Sequence, residues 1–254
     1  MSRILVLICW LAVCPSLLSQ APLESLLLLT PPSSGGGGGG GISFVAAYGR
    51  TNYTDDPVTV SNVVVPAGGV IIAFVTTGGG SETLTSVKFN TSETFTSITN
   101  LNDKSGGVVA NLGAYILHNP TATTANVVCD TSGIPNGFPV IHVLVYSGVK
   151  NDAGATGAYR ALTCTGDGGG SGVDVSVSAT SGDWVVGSCA NWDNAPAGTL
   201  AALSHTSRRT DLAVGGSAYD LSTQDTAGTV SGTTSLTWTA DEFCTSIGFA
   251  LVPQ

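Results

Sequence analysis

The chain is 254 residues long with a formal net charge of −9; 43% of its residues are apolar and only 10% are charged. Branched apolar residues at that density argue against intrinsic disorder, and eight Lys and Arg in all make a poor basic track for a phosphate backbone, so nucleic acid is not an expected partner. The length admits one large sandwich or two small domains, and the polar surface has to come from Thr, Ser and Asn rather than from ion pairs.

Chain order begins with a leader. Met1-Ser2-Arg3 is a short basic start, Ile4 to Leu18 is an apolar stretch of secretory length, and Ser19-Gln20-Ala21 supplies a small-x-small site. Residues 1–21 therefore read as a signal peptide cleaved after Ala21, too short for a stable membrane span. Two readings compete with it: a lipoprotein modified at Cys14, with Pro15 in a poor position next to the lipid, and an uncleaved arm of a particle protein. Residues 22–41 carry the apolar run Leu26–Leu29, then Pro31-Pro32-Ser33-Ser34 and the glycines Gly35 to Gly41. Glycine loses the most backbone entropy on ordering, so this run reads as a flexible tether. A phosphate cradle is not expected, because no Gly-Lys-Ser/Thr follows.

Residues 42–254 read as the folded body. Strands are expected at Ile42–Tyr48, Val58–Val65, Val70–Val75, Leu84–Phe89, Thr94–Ile98, Val108–Leu117, Ala125–Cys129 and Val140–Tyr146. Val70–Val75 is nearly continuous in apolar residues, as a centrally buried strand should be. Residues 149–172 form a long Gly- and Asp-rich connection, with short pairing around Tyr159–Thr163. Beyond it, strands are expected at Val173–Val177, Trp184–Ala190, Thr199–Ser204, Leu212–Tyr219, Ser235–Thr239 and Cys244–Val252. Short strands separated by Gly, Ser, Asn and Pro turns are an all-β signature.

Parts of this order occur twice. Residues 60–75 and 174–189 each place an alternating strand, a glycine break (Gly68, Gly182) and an apolar strand. Gly113-Ala114-Tyr115-Ile116-Leu117 is echoed by Ser217-Ala218-Tyr219-Asp220-Leu221, and Phe138–Tyr146 by Phe243–Leu251.

The residue types that carry chemistry are scattered. His118, His142 and His205 share no ligand spacing with each other or with the cysteines, and a structural role is expected for each. No GxSxG elbow occurs, and Glu82, Glu93, Glu242, Asp183 and Asp220 read as solvated carboxylates rather than as a glycosidase pair. No metal or organic cofactor is expected; Asp55-Asp56 and Asp167 offer hard oxygen ligands for calcium, against the plainer reading of solvated loops. In an oxidising compartment Cys129, Cys164, Cys189 and Cys244 form an even set that allows two disulfides in any of three connectivities. Trp184 and Trp238 read as core. Trp192, in Asn191-Trp192-Asp193 before Pro196, reads as a loop aromatic flanked by amide and carboxylate groups that suit a sugar ring.

Six segments, in order, resemble a loose class of jelly-roll-like sandwich proteins found among phage virion components and bacterial extracellular or surface proteins. They are Leu84–Asn90, Tyr115–Pro120, Val145–Val149, Ser181–Val186, Ser235–Thr239 and Ile247–Val252. The resemblance runs once through residues 43–253 and implies one antiparallel jelly-roll-like β-sandwich, a single domain in preference to a strict duplication. It implies a non-enzymatic structural role in assembly or attachment, secreted, at a cell surface or on a virion, with self-association or other surface proteins as partners. The alternative is a secreted carbohydrate-binding module contacting a glycan through Trp192, Asn191 and Asp193. A secreted hydrolase is the third reading.

Overall fold

A computed structural model describes residues 41–51, 57–78, 83–103, 110–132, 139–150, 155–167, 173–193, 200–202, 204–212, 218–226, 232–239 and 244–254. The expected leader, residues 22–40 and Asp55-Asp56 lie outside the described residues. Residues 37–254 make one compact unit.

The described chain is β-structure apart from the single helical turn α1 (Ala155–Ala158). Its first half contains β1 (Ser43–Thr51), β2 (Val58–Val65), β3 (Val70–Gly78), β4 (Thr83–Phe89), β5 (Glu93–Thr94), β6 (Thr96–Asp103), β7 (Ala110–His118), β8 (Thr123–Ser132) and β9 (Val140–Ser147). After α1 come β10 (Tyr159–Asp167), β11 (Val173–Ala179), β12 (Trp184–Asp193), β13 (Ala201–Ala202), β14 (Thr206–Asp211), β15 (Ala218–Thr226), β16 (Gly232–Thr239) and β17 (Cys244–Leu251).

Four antiparallel sheets result, and the two halves build them alike. The first half makes a five-stranded sheet, β1-β9-β3-β7-β6, and a four-stranded one, β2-β8-β4-β5. The second makes β10-β17-β12-β15-β14 and β11-β16-β13. Read from the outside of each half inward, first strand pairs with last (β1 with β9, β10 with β17), second with second-last (β2 with β8, β11 with β16), and so on toward the middle (β3 with β7, β12 with β15). That nested order is what a long hairpin adopts when it is rolled into two sheets.

Each half therefore carries its own pair of sheets, and the described chain is an all-β antiparallel sandwich as expected. Alternation decides which face goes where. Ile71, Ala73, Val75, Ile141, Val143 and Val145 face the four-stranded sheet, meeting Val60, Val87, Phe89 and Val127. Val70, Ile72, Phe74, Leu144 and Tyr146, from the same strands, point the other way. There they meet Trp184, Val186, Ile247, Phe249 and Leu251 of the second half. The far face of that second sheet packs Val185, Cys189 and Ala250 against Val175, Val177, Leu236 and Trp238. The two halves thus stack as four layers, outer–inner–inner–outer, and among the described residues the central inner strands β3, β9, β12 and β17 have no solvent face.

The layering explains the sequence pattern. Outer strands alternate, as in Val173-Asp174-Val175-Ser176-Val177-Ser178, where every second residue is a polar one facing water. Inner strands must be apolar on both faces, as in Val70-Ile71-Ile72-Ala73-Phe74-Val75. A fully buried aliphatic or aromatic side chain contributes about 1.5–3 kcal/mol, so most of the cohesion resides in these central layers.

Two of the three sequence echoes are in structural register. The turns Pro66–Gly69 and Thr180–Asp183 correspond: Gly69 N donates to Pro66 O and Asp183 N to Thr180 O, each at 3.0 Å. Their third residues, Gly68 and Gly182, have φ of 69° and 94°, a conformation that favours glycine. Val70 and Trp184 open the inner strands and pair with Tyr146 and Leu251, so the Phe138–Tyr146 echo also holds. The Gly113–Leu117 echo does not. Tyr115 pairs with Ala73, the fourth residue of β3, whereas Tyr219 pairs with Trp192, the ninth residue of β12. A displacement of five residues reverses the face, so that likeness does not mark equivalent positions.

Two further expectations change. Within the 149–172 connection, Tyr159–Asp167 form the nine-residue edge strand β10, paired with β17 and longer than the short pairing expected around Tyr159–Thr163. Of the strand expected at Leu212–Tyr219, Ala218 and Tyr219 open β15 and residues 213–217 lie outside the described residues; β14 and β15 are both more polar than an inner-sheet strand normally reads.

Candidate functional site

The inner sheets meet through apolar side chains except along one border, where β9 and β1 lie against β14 and β15. Here the interface is charged. Buried His142 on β9 places Nε2 3.0 Å from Asp211 Oδ2 and Nδ1 3.3 Å from Thr223 Oγ1. The same Asp211 carboxylate accepts two hydrogen bonds from Arg209, from Nε at 2.5 Å and Nη2 at 2.9 Å. One turn of the pleat away, the Tyr146 hydroxyl donates to Asp225 Oδ2 at 2.8 Å, and Arg208 Nε donates to Oδ1 at 2.6 Å. The Arg208 guanidinium carbon stands 3.8 Å from the centroid of the Phe44 ring, a cation–π contact across the two halves.

Backbone detail makes room for these groups. β14 bulges between Ser207 and Arg209, which breaks the simple alternation and lets consecutive arginines serve two different carboxylates. Gly49 on β1 pairs with His142, and Arg209 runs across it. A Cβ at residue 49 would stand 2.7 Å from Arg209 Cδ and 2.8 Å from Cζ. Gly49→Ala is therefore expected to lower stability by about 1–3 kcal/mol, an overpacking effect. Thermal denaturation checks this, and the loss should shrink in an Arg209→Thr background.

Charge is tuned by burial and partners together. Burial holds the His142 pKa below its ordinary 6.5, outweighing the hydrogen bond and charge of Asp211, while Arg209 lowers it further. At neutral pH the ring is therefore uncharged, with Nε2–H donating to Asp211 and Nδ1 accepting from the Thr223 hydroxyl. For Asp211 burial pushes upward, but His142 and Arg209 outweigh it and hold the carboxyl below its usual value. For Asp225 burial wins and raises the pKa against the opposing effects of Arg208 and Tyr146. Burial, aided by the neighbouring Asp225 carboxylate, pushes the Tyr146 phenol well above 10.

Asp211, His142 and Thr223 have the composition of a nucleophilic triad, which raises the question of chemistry. Thr223 is fully buried, and its hydroxyl lies between the His142 ring and the Arg209 carbonyl oxygen, 3.4 Å away. The arrangement stores charge and fixes a contact; it does not offer a hydroxyl to a substrate.

The same positions at the opposite border are apolar. By strand register, His142 corresponds to Ile247, Tyr146 to Leu251, Thr223 to Ala114 and Asp225 to Ile116. Arg208, in the β14 bulge, corresponds to Ile98, in a matching β6 bulge between Ser97 and Thr99. Even the Gly49–Arg209 contact has its counterpart in Cys164 beside Thr99. The backbone is duplicated and the seam is not.

A second buried charge sits in the Thr180–Asp183 turn. Asp183 is fully buried and accepts from Thr180 N at 2.7 Å and Arg160 Nε at 2.8 Å, with Arg160 Nη2 also paired to it. Asp183 and Asp220 are both buried, which corrects their reading as solvated groups. Glu82 and Glu242 lie outside the described residues.

Asn191, Trp192 and Asp193 continue β12 instead of forming a loop, and Asn191 is buried. The side chains of Trp192, Asp193 and Asp167 lie outside the described residues. Trp238 is fully buried and Trp184 nearly so, as core residues. Cys129, Cys164, Cys189 and Cys244 are not joined in disulfides, which corrects the disulfide expectation. They belong to three different apolar clusters. Only Cys189 and Cys244 share one, and they sit two rungs apart, opposite Ser246 and Asn191. Burial, then the neighbouring Cys244 thiol, pushes the Cys189 thiol well above its ordinary value, so it stays protonated.

Of the seam residues, only His142 and the pair Arg208-Arg209, the nearest thing to a basic cluster in the chain, stand out in the sequence. The available signal was a polar stretch, Thr206–Asp211 and Asp220–Asp225, at the position where the duplicated pattern calls for inner-sheet strands. Comparison of the chain with family models, with characterised proteins and with solved structures finds no match. Among the described residues no helix is long and apolar enough to cross a membrane.

Proposed function

We propose that each half is a jelly roll and that the protein is a non-enzymatic structural or attachment subunit of a virion or cell surface, acting outside the cytoplasm through self-association or contact with other surface proteins. The nested strand pairing of both halves supports the jelly-roll reading. The observation that carries the role is the character of the two outer sheets. Each turns a hydroxyl-rich, sparsely charged face to the outside: Ser61, Asn62, Thr85 and Thr94 with Lys88 and Asp130 on one, Ser176, Ser178, Thr233 and Ser235 with Asp174 on the other. Such faces pack against neighbours without a large desolvation cost from charge. The carbohydrate-binding reading has less behind it, since Asn191 is buried.

Light scattering coupled to size-exclusion chromatography on residues 42–254 tests the proposal. A closed oligomer or particle is expected. A monomer at all concentrations would count against self-assembly and turn attention to glycan binding, compared between the parent chain and Trp192→Ala.

A further inference from the structure

The charged seam raises a question of pairing. The two inner sheets have the same strand order and the same bulge, and they pack face to face with β9 over β14 and β15 at one border and β17 over β6 and β7 at the other. Two like sheets from separate copies present the same shape to each other. Hydrophobic burial is non-directional and does not by itself distinguish these arrangements.

We propose that the seam is a recognition key: it makes the inner sheet of the first half accept only the inner sheet of the second, and rejects pairing of like sheets between two copies of the chain. The register states what like pairing does. Second half on second half sets β17 over β14 and β15 of the other copy. Asp225 and Arg208 then lie against Ile247 and Leu251, and Asp225 loses Tyr146. First half on first half sets His142 and Tyr146 over Ala114, Ile116 and Ile98, leaving a buried imidazole and phenol without acceptors or donors. The first-on-first arrangement buries His142 and Tyr146 unpaired, and the second-on-second one keeps the two arginine–aspartate pairs but strips each carboxylate of its donor from β9 and buries them against aliphatic side chains, whereas the native arrangement satisfies both knots. The key selects the kind of sheet. The covalent connection selects the copy, because it holds the partner sheet at an effective concentration in the millimolar range.

The test replaces the seam, in the full-length chain, with the residues that stand at the opposite border: His142→Ile, Tyr146→Leu, Arg208→Ile, Arg209→Thr, Asp211→Leu and Asp225→Ile. Parent and variant are unfolded in guanidinium and refolded at concentrations up to about 0.5 mM, approaching the effective concentration of the tether. Mass distributions are then compared by light scattering. The parent is expected to regain its starting distribution, whatever that is. The variant is expected to show about a tenfold larger share of additional, higher-mass species, rising with protein concentration and persisting on dilution. An unchanged distribution for the variant at every concentration overturns the proposal. Arg208→Ile with Asp225→Ile removes one knot only and is the fallback if the larger variant does not fold; it should show the same trend more weakly, and its absence there would be equally decisive. Because the readout is the difference after refolding, it is independent of the native mass that tests the assembly role.

Discussion

Asp225→Ala is expected to destabilise the protein by about 3–5 kcal/mol, the largest single loss available at the interface. The carboxylate is fully buried and holds two donors, one from each half: Tyr146 from β9 and Arg208 from β14. Removing it leaves the phenol without an acceptor and Arg208, only 20% exposed, without a counter-charge. Arg208 also loses the reason to lie over Phe44. For a folded unit of this size each kcal/mol moves the melting temperature by about 2–4 °C, so a fall near 10 °C is expected. Arg208→Ile with Asp225→Ile should recover most of the loss, because an apolar pair of similar volume removes the desolvation of both charges. Urea titrations of the two single variants and the double variant close the cycle. Equal losses for Asp225→Ala and for the double variant would show that packing, rather than charge pairing, dominates there.

Stability should fall as pH drops below 6.5, and His142 should be the cause. Its folded pKa lies below the ordinary value, so between the two the unfolded chain binds the proton and the folded one does not. The stability it contributes is complete above pH 6.5 and is lost as pH falls toward the folded pKa. A single group changes stability by at most about 1.4 kcal/mol per pH unit. Asp225 works in the opposite sense: its folded pKa is raised, so its penalty grows as pH rises above 3.8 and is relieved on acidification. Asp211, with a lowered pKa, contributes stability that is lost only below 3.8. The groups facing His142 are thus Asp211 and Arg209 from β14 and Thr223 from β15, with Gly49 of β1 and Phe74 of β3 as its register partners. His142→Gln should flatten the limb just below pH 6.5 and also weaken the loss below 3.8, because His142 is one of the two groups that hold the Asp211 carboxyl low. Superimposable pH profiles for the parent and His142→Gln would exclude this assignment.

The β character and most strands were legible because backbone geometry writes period two into any half-buried strand, as in Val175, Val177 and Ala179 of β11. The four layers were legible in principle. A strand such as Val70–Val75, apolar on both faces, needs a neighbour on both, and a lone two-layer sandwich supplies only one. The seam was hidden. Thr206–Asp211 and Asp220–Asp225 carry arginines, aspartates and threonines where an inner strand should be apolar, so the polarity that makes them functional also disguises them as loop. Nothing in their spacing pairs Arg208 with Asp225 or His142 with Asp211. Arg208 and Asp225, 17 residues apart, meet across neighbouring strands of one sheet, and His142 and Asp211, 69 apart, meet only after sheets from different halves have come together.

The burial of the central inner strands on both faces also has a schedule attached. The first half, through β9, leaves the ribosome complete in its own strand pairing, with Val70, Ile72, Phe74 and Leu144 still uncovered. The strands that cover them arrive over roughly the next 100 residues, and at about 5–20 residues per second that is a wait of about 5–20 seconds. During that interval the nascent chain displays an apolar sheet to its surroundings, so synthesis rate and chaperone supply should govern the yield of folded protein as strongly as the stability of the finished stack does.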